Sequence, residues 1–210
     1  MLIRTMASRI SFITGTDTGV GKTFFAVLLT RHLCRRGRRV AALKPICSGG
    51  RDDARRLRDA AGRVLSPEDV NPWHFRAPLA PLLAARKERK RVRLRDVVAH
   101  VRRVAKSFEV VVVEGAGGLL SPLGEDFDSR DLIKALGATP IIVCPNKLGA
   151  VNQVRLTLDA LPQAAARQAR IVLVNPARPD AASRTNFKLL KEFVDPDQLR
   201  ILPWLGGKGR

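Results

Sequence analysis

Nine consecutive residues carry the most specific chemistry in the chain: Gly15-Thr16-Asp17-Thr18-Gly19-Val20-Gly21-Lys22-Thr23. A glycine-bearing loop between an apolar run (residues 10–13) and an apolar segment (residues 24–33) aims successive backbone N–H groups and the positive end of a helix dipole at one point, where an anion is well accommodated. Lys22 would then reach the terminal phosphates of a nucleotide, with Gly19, Val20 and Gly21 cradling them and the Thr23 hydroxyl offered to Mg²⁺. Five residues separate Gly15 from Gly21, and Thr16 stands where the strict phosphate-loop pattern has its first glycine. A Gly-x-Gly turn can be a plain strand-to-helix connection, but such a turn has no need of Lys and Thr directly after it.

Three further stretches supply charge. Val110-Val111-Val112-Val113-Glu114 reads as a buried parallel strand with a carboxylate at its tip, from which Mg²⁺ is approached in nucleotide-binding folds. A buried acid without a cation is costly, so either metal or Lys22 is expected to neutralise Glu114. After the strand-like run 40–43, Lys44-Pro45-Ile46-Cys47-Ser48-Gly49-Gly50 should hold Lys44 and Ser48 on a loop facing the phosphate site, a surface lysine being the alternative for Lys44. Asp52 and Asp53 open a charged helix running to Ala61; a helix N-cap is the ordinary explanation, and one acid could cap while the other binds metal. Asn175 ends another apolar run and would either read a base edge or cap a loop.

Strands and helices must alternate to bring these residues to one edge. Apolar runs at 10–13, 40–43, 110–113, 140–143, 171–174 and 201–202 are separated by segments of helical period, including Leu94, Val97, Val98, Val101 and Val104. Further helices are expected over 128–136, 152–161 and 183–193. Residues 70–81, with Asn71-Pro72, Pro78 and Pro81, read as an irregular excursion with a short strand, and residues 87–95 as an exposed charged linker. The expectation is a single domain, residues 1–210: an α/β, doubly wound, mostly parallel sheet with helices on both faces, of the phosphate-loop NTPase kind.

At 210 residues such a domain buries roughly 70% of its unfolded surface and needs no staples. The three cysteines, Cys34, Cys47 and Cys144, have neither disulfide-framework nor zinc-site spacing, which fits a reducing cytoplasm. Residues 1–8 are too short and polar for a secretory signal, Met6 is a second candidate start, and no apolar run reaches bilayer-spanning length. The net charge of +19 attracts polyanions, but aromatic residues make up only 5% and none interleave with the basic runs. A solvated arginine-rich surface is therefore expected rather than a specific nucleic-acid site.

Taken together, residues 15–23, Lys44-Pro45-x-x-Ser48-Gly49, Glu114-Gly-Ala-Gly-Gly and Lys147-Leu148-Gly149 with Asn152 resemble the dethiobiotin synthetases over nearly the whole chain, from Phe12 to Leu205. The resemblance implies an ATP- and Mg²⁺-dependent ring closure in which one amine of 7,8-diaminopelargonate is carbamylated by CO₂. The carbamate then attacks the γ-phosphate to give a carbamic-phosphoric anhydride, and the second amine closes a ureido ring. It implies that Lys22, Lys44, Thr18 and Ser48 serve the reacting centre and that Thr23, Asp53 and Glu114 hold the metal. It implies further that Asn175, Pro203, Trp204 and Leu205 lie near adenine. Ser48 and Gly117, with Leu148, Gly149 and Asn152 of a second subunit in a homodimer, would bind the diamine. Asp53 matches the family's Asp-Ala pair better than Asp52 does, whereas some members carry Glu where Gly19 stands. DNA-partitioning or division-site ATPases, the nearest alternative, have a lysine where Asp17 stands, and corrinoid amidotransferases need a glutaminase half for which 210 residues leave no room.

Overall fold

The computed structural model describes residues 9–206; the reading of residues 1–8, with Met6 as a second start, concerns residues outside these. Six strands form one sheet: β1 (Ile10–Gly15), β2 (Val40–Leu43), β5 (Val110–Glu114), β6 (Thr139–Pro145), β7 (Arg170–Val174) and β8 (Leu199–Leu202). Their order is β2-β5-β1-β6-β7-β8, and every pairing is parallel. Between β2 and β5 in the chain, β3 (Ile46–Ser48) and β4 (Trp73–Phe75) pair in a second, two-stranded parallel sheet.

Because side chains alternate across a strand, each central strand feeds two separate cores. Val111 and Val113 pack in one, Val110 and Val112 in the other. The second is covered by α1 (Lys22–Arg35) through Phe25, Leu29 and Leu33, and by α2 (Asp52–Ala60) through Leu57. The first is covered by α4 (Pro81–Lys87), α5 (Leu94–Ala105), α6 (Ser129–Leu136), α7 (Ala150–Ala160) and α9 (Ala181–Leu190), with Val97, Val101, Ile133, Val154 and Leu190 buried there. Each fully buried side chain of this size contributes about 1.5–3 kcal/mol. The doubly wound α/β architecture is the expected one.

Local departures have identifiable causes. Ser48 ends strand β3 rather than lying on a free loop, because Gly49 N donates to the Phe75 carbonyl and closes the small sheet. The excursion also contains α3 (Pro67–Val70), capped by the Ser66 side chain. The charged run 87–95 is not wholly exposed, since Val92 is 2% exposed and joins the core between its charged neighbours. A short helix, α8 (Gln163–Gln168), precedes β7, and α9 starts at Ala181 behind an Asp180 cap and stops at Leu190. Neither Asp52 nor Asp53 is an N-cap: Arg51 holds that position, and both acids lie in the first turn, where their charge favours the helix dipole. Among the described residues, no helix is long and apolar enough to cross a membrane.

At the tip of β5 the backbone passes close under β1. A Cβ added at Gly115 would lie 2.9 Å from Phe12 Cε1 and 3.0 Å from Ser129 Oγ. Gly115→Ala should therefore lower stability by about 1–3 kcal/mol through overpacking, read as a lower urea midpoint at unchanged slope. An unaltered midpoint would show that the Phe12 ring yields freely.

Candidate active site

The order of the strands assembles the site. β5 lies between β2 and β1, with Leu43 beside Val113 and Ile13 beside Glu114. Lys44, the residue directly after β2, therefore meets Glu114 at the sheet's carboxyl edge, where α/β sheets bind ligands. The Lys44 ammonium donates to Glu114 Oε1 at 2.5 Å and to the Gly115 carbonyl at 2.9 Å, and lies 3.5 Å from Asp53 Oδ2. Lys44 is 4% exposed and Glu114 1%. Burial opposes the Lys44 charge, but Glu114 and then Asp53 more than offset it and hold the ammonium above the ordinary lysine range.

Of the two expected neutralisers of Glu114, metal or Lys22, the second is corrected by this geometry: the ammonium on the carboxylate is that of Lys44. Lys22 Nζ donates instead to the Asp17 carbonyl at 2.7 Å, within the phosphate loop, because α1 begins there and carries its first side chain back over the loop. Burial, then the nearby Lys44, lowers the Lys22 pKa to about 8. The loop turns into the helix through Gly21, whose φ of 96° lies in the left-handed region that favours glycine. Thr23, one residue into α1, donates its hydroxyl to Glu114 Oε1 at 2.8 Å.

Glu114 Oε2 is buried and has no hydrogen-bond partner among the described residues. A carboxylate oxygen left so is costly, by about 1–3 kcal/mol or more for a charged group. Beside it stand the Thr23 hydroxyl and, across Lys44, the Asp53 carboxylate. Hard oxygen donors of this kind suit Mg²⁺, which takes one or two protein carboxylates and completes its shell with water and phosphate oxygens. Asp52 points elsewhere and pairs with Arg55 at the surface.

One cleft of about 1300 Å³ joins these groups. Thr18, Gly19, Val20, Gly21, Lys22, Thr23, Lys44, Ser48, Asp53, Glu114 and Gly117 line it at one end, and Asn175, Pro203, Trp204 and Leu205 at the other. Ser48 donates to the Leu79 carbonyl at 2.5 Å, drawing residues 78–81 along the cleft wall. Leu148, Gly149 and Asn152 are not among the lining residues: they occupy the β6–α7 turn and the start of α7, and Leu148 is 84% exposed. Asn175 accepts from Asn146, at 2.7 Å, with its side-chain oxygen. Asn146 also lines the cleft and was missed from sequence, although it follows the end of an apolar run just as Asn175 does. Arg56, one turn after Asp53 on α2, is a second lining residue that sequence reasoning passed over as surface charge.

Residues 9–207 match the family model described as an AAA domain. The chain is 38% identical to the ATP-dependent dethiobiotin synthetase BioD of Bacillus licheniformis, covering 92% of this chain and 85% of that protein. It is 41% identical to BioD of Anaeromyxobacter dehalogenans strain 2CP-C, over 92% and 89% of the two chains. Against BioD of Bacillus subtilis strain 168 the identity is 36%, over 92% and 87%. Among solved structures, the kinase domain of Escherichia coli tyrosine kinase ETK superposes with a TM-score of 0.53 at 17% identity, over 84% of this chain and 72% of that one, a likeness of fold alone. Identity at this level along nearly the whole length, with the motif residues of the first three stretches drawn to one sheet edge, means that the chain belongs to the ATP-dependent dethiobiotin synthetase family.

Proposed function

We infer that the chain closes a ureido ring on 7,8-diaminopelargonate, consuming ATP and CO₂ in the presence of Mg²⁺. The observation that carries this reading is Lys44: a second fixed ammonium, buried beside Glu114 and sharing one cleft with Lys22. A phosphatase-like site needs cations for one anion. Here two anions must meet, a carbamate and a transferring phosphoryl group, and each would repel the other without positive charge between them.

In this reading carbamate forms on one amine of the substrate and needs no strong protein base, since it is already a nucleophile. Its oxygen attacks the γ-phosphorus, the bond to the β-phosphate oxygen breaks and ADP departs. The second amine then attacks the carbamoyl carbon and inorganic phosphate leaves. Lys22 and the loop amides hold the phosphates, Lys44 offsets charge where carbamate and phosphoryl meet, and Thr18 and Ser48 line the reacting region. Mg²⁺ held by Thr23, Asp53 and Glu114 would supply further charge at the phosphate oxygens. Pro203, Trp204 and Leu205 are assigned to the adenine, and the exposure of Trp204 at 51% supports a ring available for contact.

The diamine end is assigned to Ser48 and Gly117 together with Leu148, Gly149 and Asn152 of a second copy in a homodimer. That Leu148 and Leu156 are 84% and 60% exposed, outside the cleft of their own chain, supports this arrangement. A single domain, cytoplasmic and without a specific nucleic-acid partner, completes the reading; the three free cysteines are consistent with a reducing compartment.

Phosphate release should be slight with ATP and Mg²⁺ alone and strong once 7,8-diaminopelargonate and bicarbonate are both present, because water is poorly placed for in-line attack. The product should be heavier by one carbonyl and lighter by two hydrogens, by mass spectrometry. Lys44→Ala should suppress this coupled release far more than ATP binding; equal release with and without the diamine would overturn the reading. Glu114→Gln and Asp53→Asn should each raise the Mg²⁺ concentration for half-maximal rate, while Asp52→Asn, removing an exposed partner of Arg55, should leave it unchanged. The reverse pattern between Asp52 and Asp53 would move the metal assignment by one residue.

Lys22 also sets a pH effect. Free, its ammonium titrates near 8; a bound triphosphate should restore its pKa toward the ordinary 10.5. Nucleotide binding at pH 8 should therefore take up about half a proton, falling to none well below that pH. Calorimetry in two buffers of different ionisation enthalpy measures it, and Lys22→Met should abolish the uptake.

A further inference from the structure

Strands β6 and β7 end side by side, and three asparagines run from α9 to the cleft at that point. Asn186, on α9, uses both hydrogens of Nδ2, one toward Asn146 Oδ1 at 2.9 Å and one toward the Lys147 carbonyl at 2.9 Å. Asn146 likewise uses both of its own, toward the Ser183 carbonyl at 2.7 Å and toward Asn175 Oδ1 at 2.7 Å. Asn146 and Asn186 are 1% and 6% exposed, so these bonds are shielded from water.

The two main-chain oxygens decide which way the series runs, because a backbone carbonyl only accepts. Turning the Asn186 amide over would set its oxygen against the Lys147 carbonyl. Turning Asn146 over would set oxygen against oxygen at Ser183 and leave two amide nitrogens facing each other toward Asn186. With both amides held, Asn175 must accept through Oδ1. Its Nδ2 bonds to no other described residue and, with the second lone pair of Oδ1, is left for the cleft that Asn175 lines.

We propose that Asn146 and Asn186 are positioning residues that fix Asn175 as a hydrogen-bond donor to the nucleotide base. The site then reads an acceptor on the base, a bare ring nitrogen or a carbonyl oxygen, through Nδ2, while the second lone pair of Asn175 Oδ1 stays open to an exocyclic amine. The proposal rests on the reading that the base lies at the cleft end formed by Asn175 and residues 203–205. Adenine meets the requirement through a ring nitrogen, and its amino group finds the remaining Oδ1 lone pair. Base preference is thus set in part by main-chain carbonyls of α9 and of the β6–α7 turn, acting through the Asn146 and Asn186 amides.

The test compares dissociation constants by titration calorimetry for ATP, purine riboside triphosphate (which lacks the amino group), 1-deaza-ATP and 7-deaza-ATP. The wild type should bind one deaza analogue about tenfold more weakly than ATP, roughly the worth of one hydrogen bond, with purine riboside triphosphate reporting separately on the second lone pair of Oδ1. In Asn146→Ala that deaza penalty should shrink to about twofold or less, since a released Asn175 amide can turn either way, whereas Asn186→Leu, which leaves the Ser183 carbonyl holding Asn146, should lose less of it. A merely structural role for the pair would weaken all four nucleotides in parallel and overturn the proposal. So would no penalty for either deaza analogue, or a penalty that survives in Asn146→Ala. Asn175→Ala separates the two readings. Unchanged affinity for all four nucleotides would remove the base site from this end of the cleft and the proposal with it. Weakened ATP binding there, alongside an intact ranking in the other variants, would refute only the positioning series. Thermal melts of the two independently placed variants verify that at least one is folded.

Discussion

The buried contact between Lys44 and Glu114 is the constraint from which the rest of the site follows. Two opposite charges withdrawn from water are favourable only in good geometry with their other bonds satisfied, and removing one partner leaves a buried charge at a cost of about 3–5 kcal/mol. That geometry exists because β5 is inserted between β2 and β1, so the tips of two neighbouring strands carry an ammonium and a carboxylate in register. It is also held from outside. The Lys44 N–H donates to the Val70 carbonyl at 3.0 Å, and Asn71, 1% exposed, donates to the Lys44 carbonyl at 2.7 Å. The proline-rich excursion after α2 thus clamps the main chain on which the lysine is mounted.

This arrangement explains which parts of the molecule could be read in the residues and which could not. Phosphate loop, strand-tip acid and alternation of elements are local signals: a glycine and lysine before an apolar helix, or four valines before a glutamate, mean the same wherever they fall in the fold. The cation beside Glu114 is not local. Choosing Lys44 over Lys22 requires knowing that β2, not α1, flanks β5, and spatial strand order is absent from periodicity. Of the small β3–β4 sheet only the short strand within residues 70–81 was legible; its partner β3 was not, since a three-residue strand carries too few alternations to register. Asn146 was hidden by its company, as proline and lysine on either side read as an ordinary surface turn although its side chain is buried.

The surface tells a plainer story. With 38 basic and 19 acidic side chains, at least half of the cations have no carboxylate of their own. Those that do, such as Arg63 with Asp59 and Arg103 with Asp69, are largely exposed pairs worth about 0–1 kcal/mol. The charge therefore contributes little to holding the fold and lies apart from the two apolar layers that do.

The clamp on β2 and the small sheet beside it divide the cleft into halves of unequal stiffness. The nucleotide half hangs from six paired strands packed on both faces. Ser48 hangs from a two-stranded ribbon, its hydroxyl tied to the carbonyl of Leu79, itself 44% exposed. Elements with few buried contacts open locally at free energies well below that of global unfolding. Ile46 and Phe75 anchor the ribbon in the main core, so it is its outer end, Gly49 and the exposed strap at Leu79, that should open below the global free energy beside the acceptor.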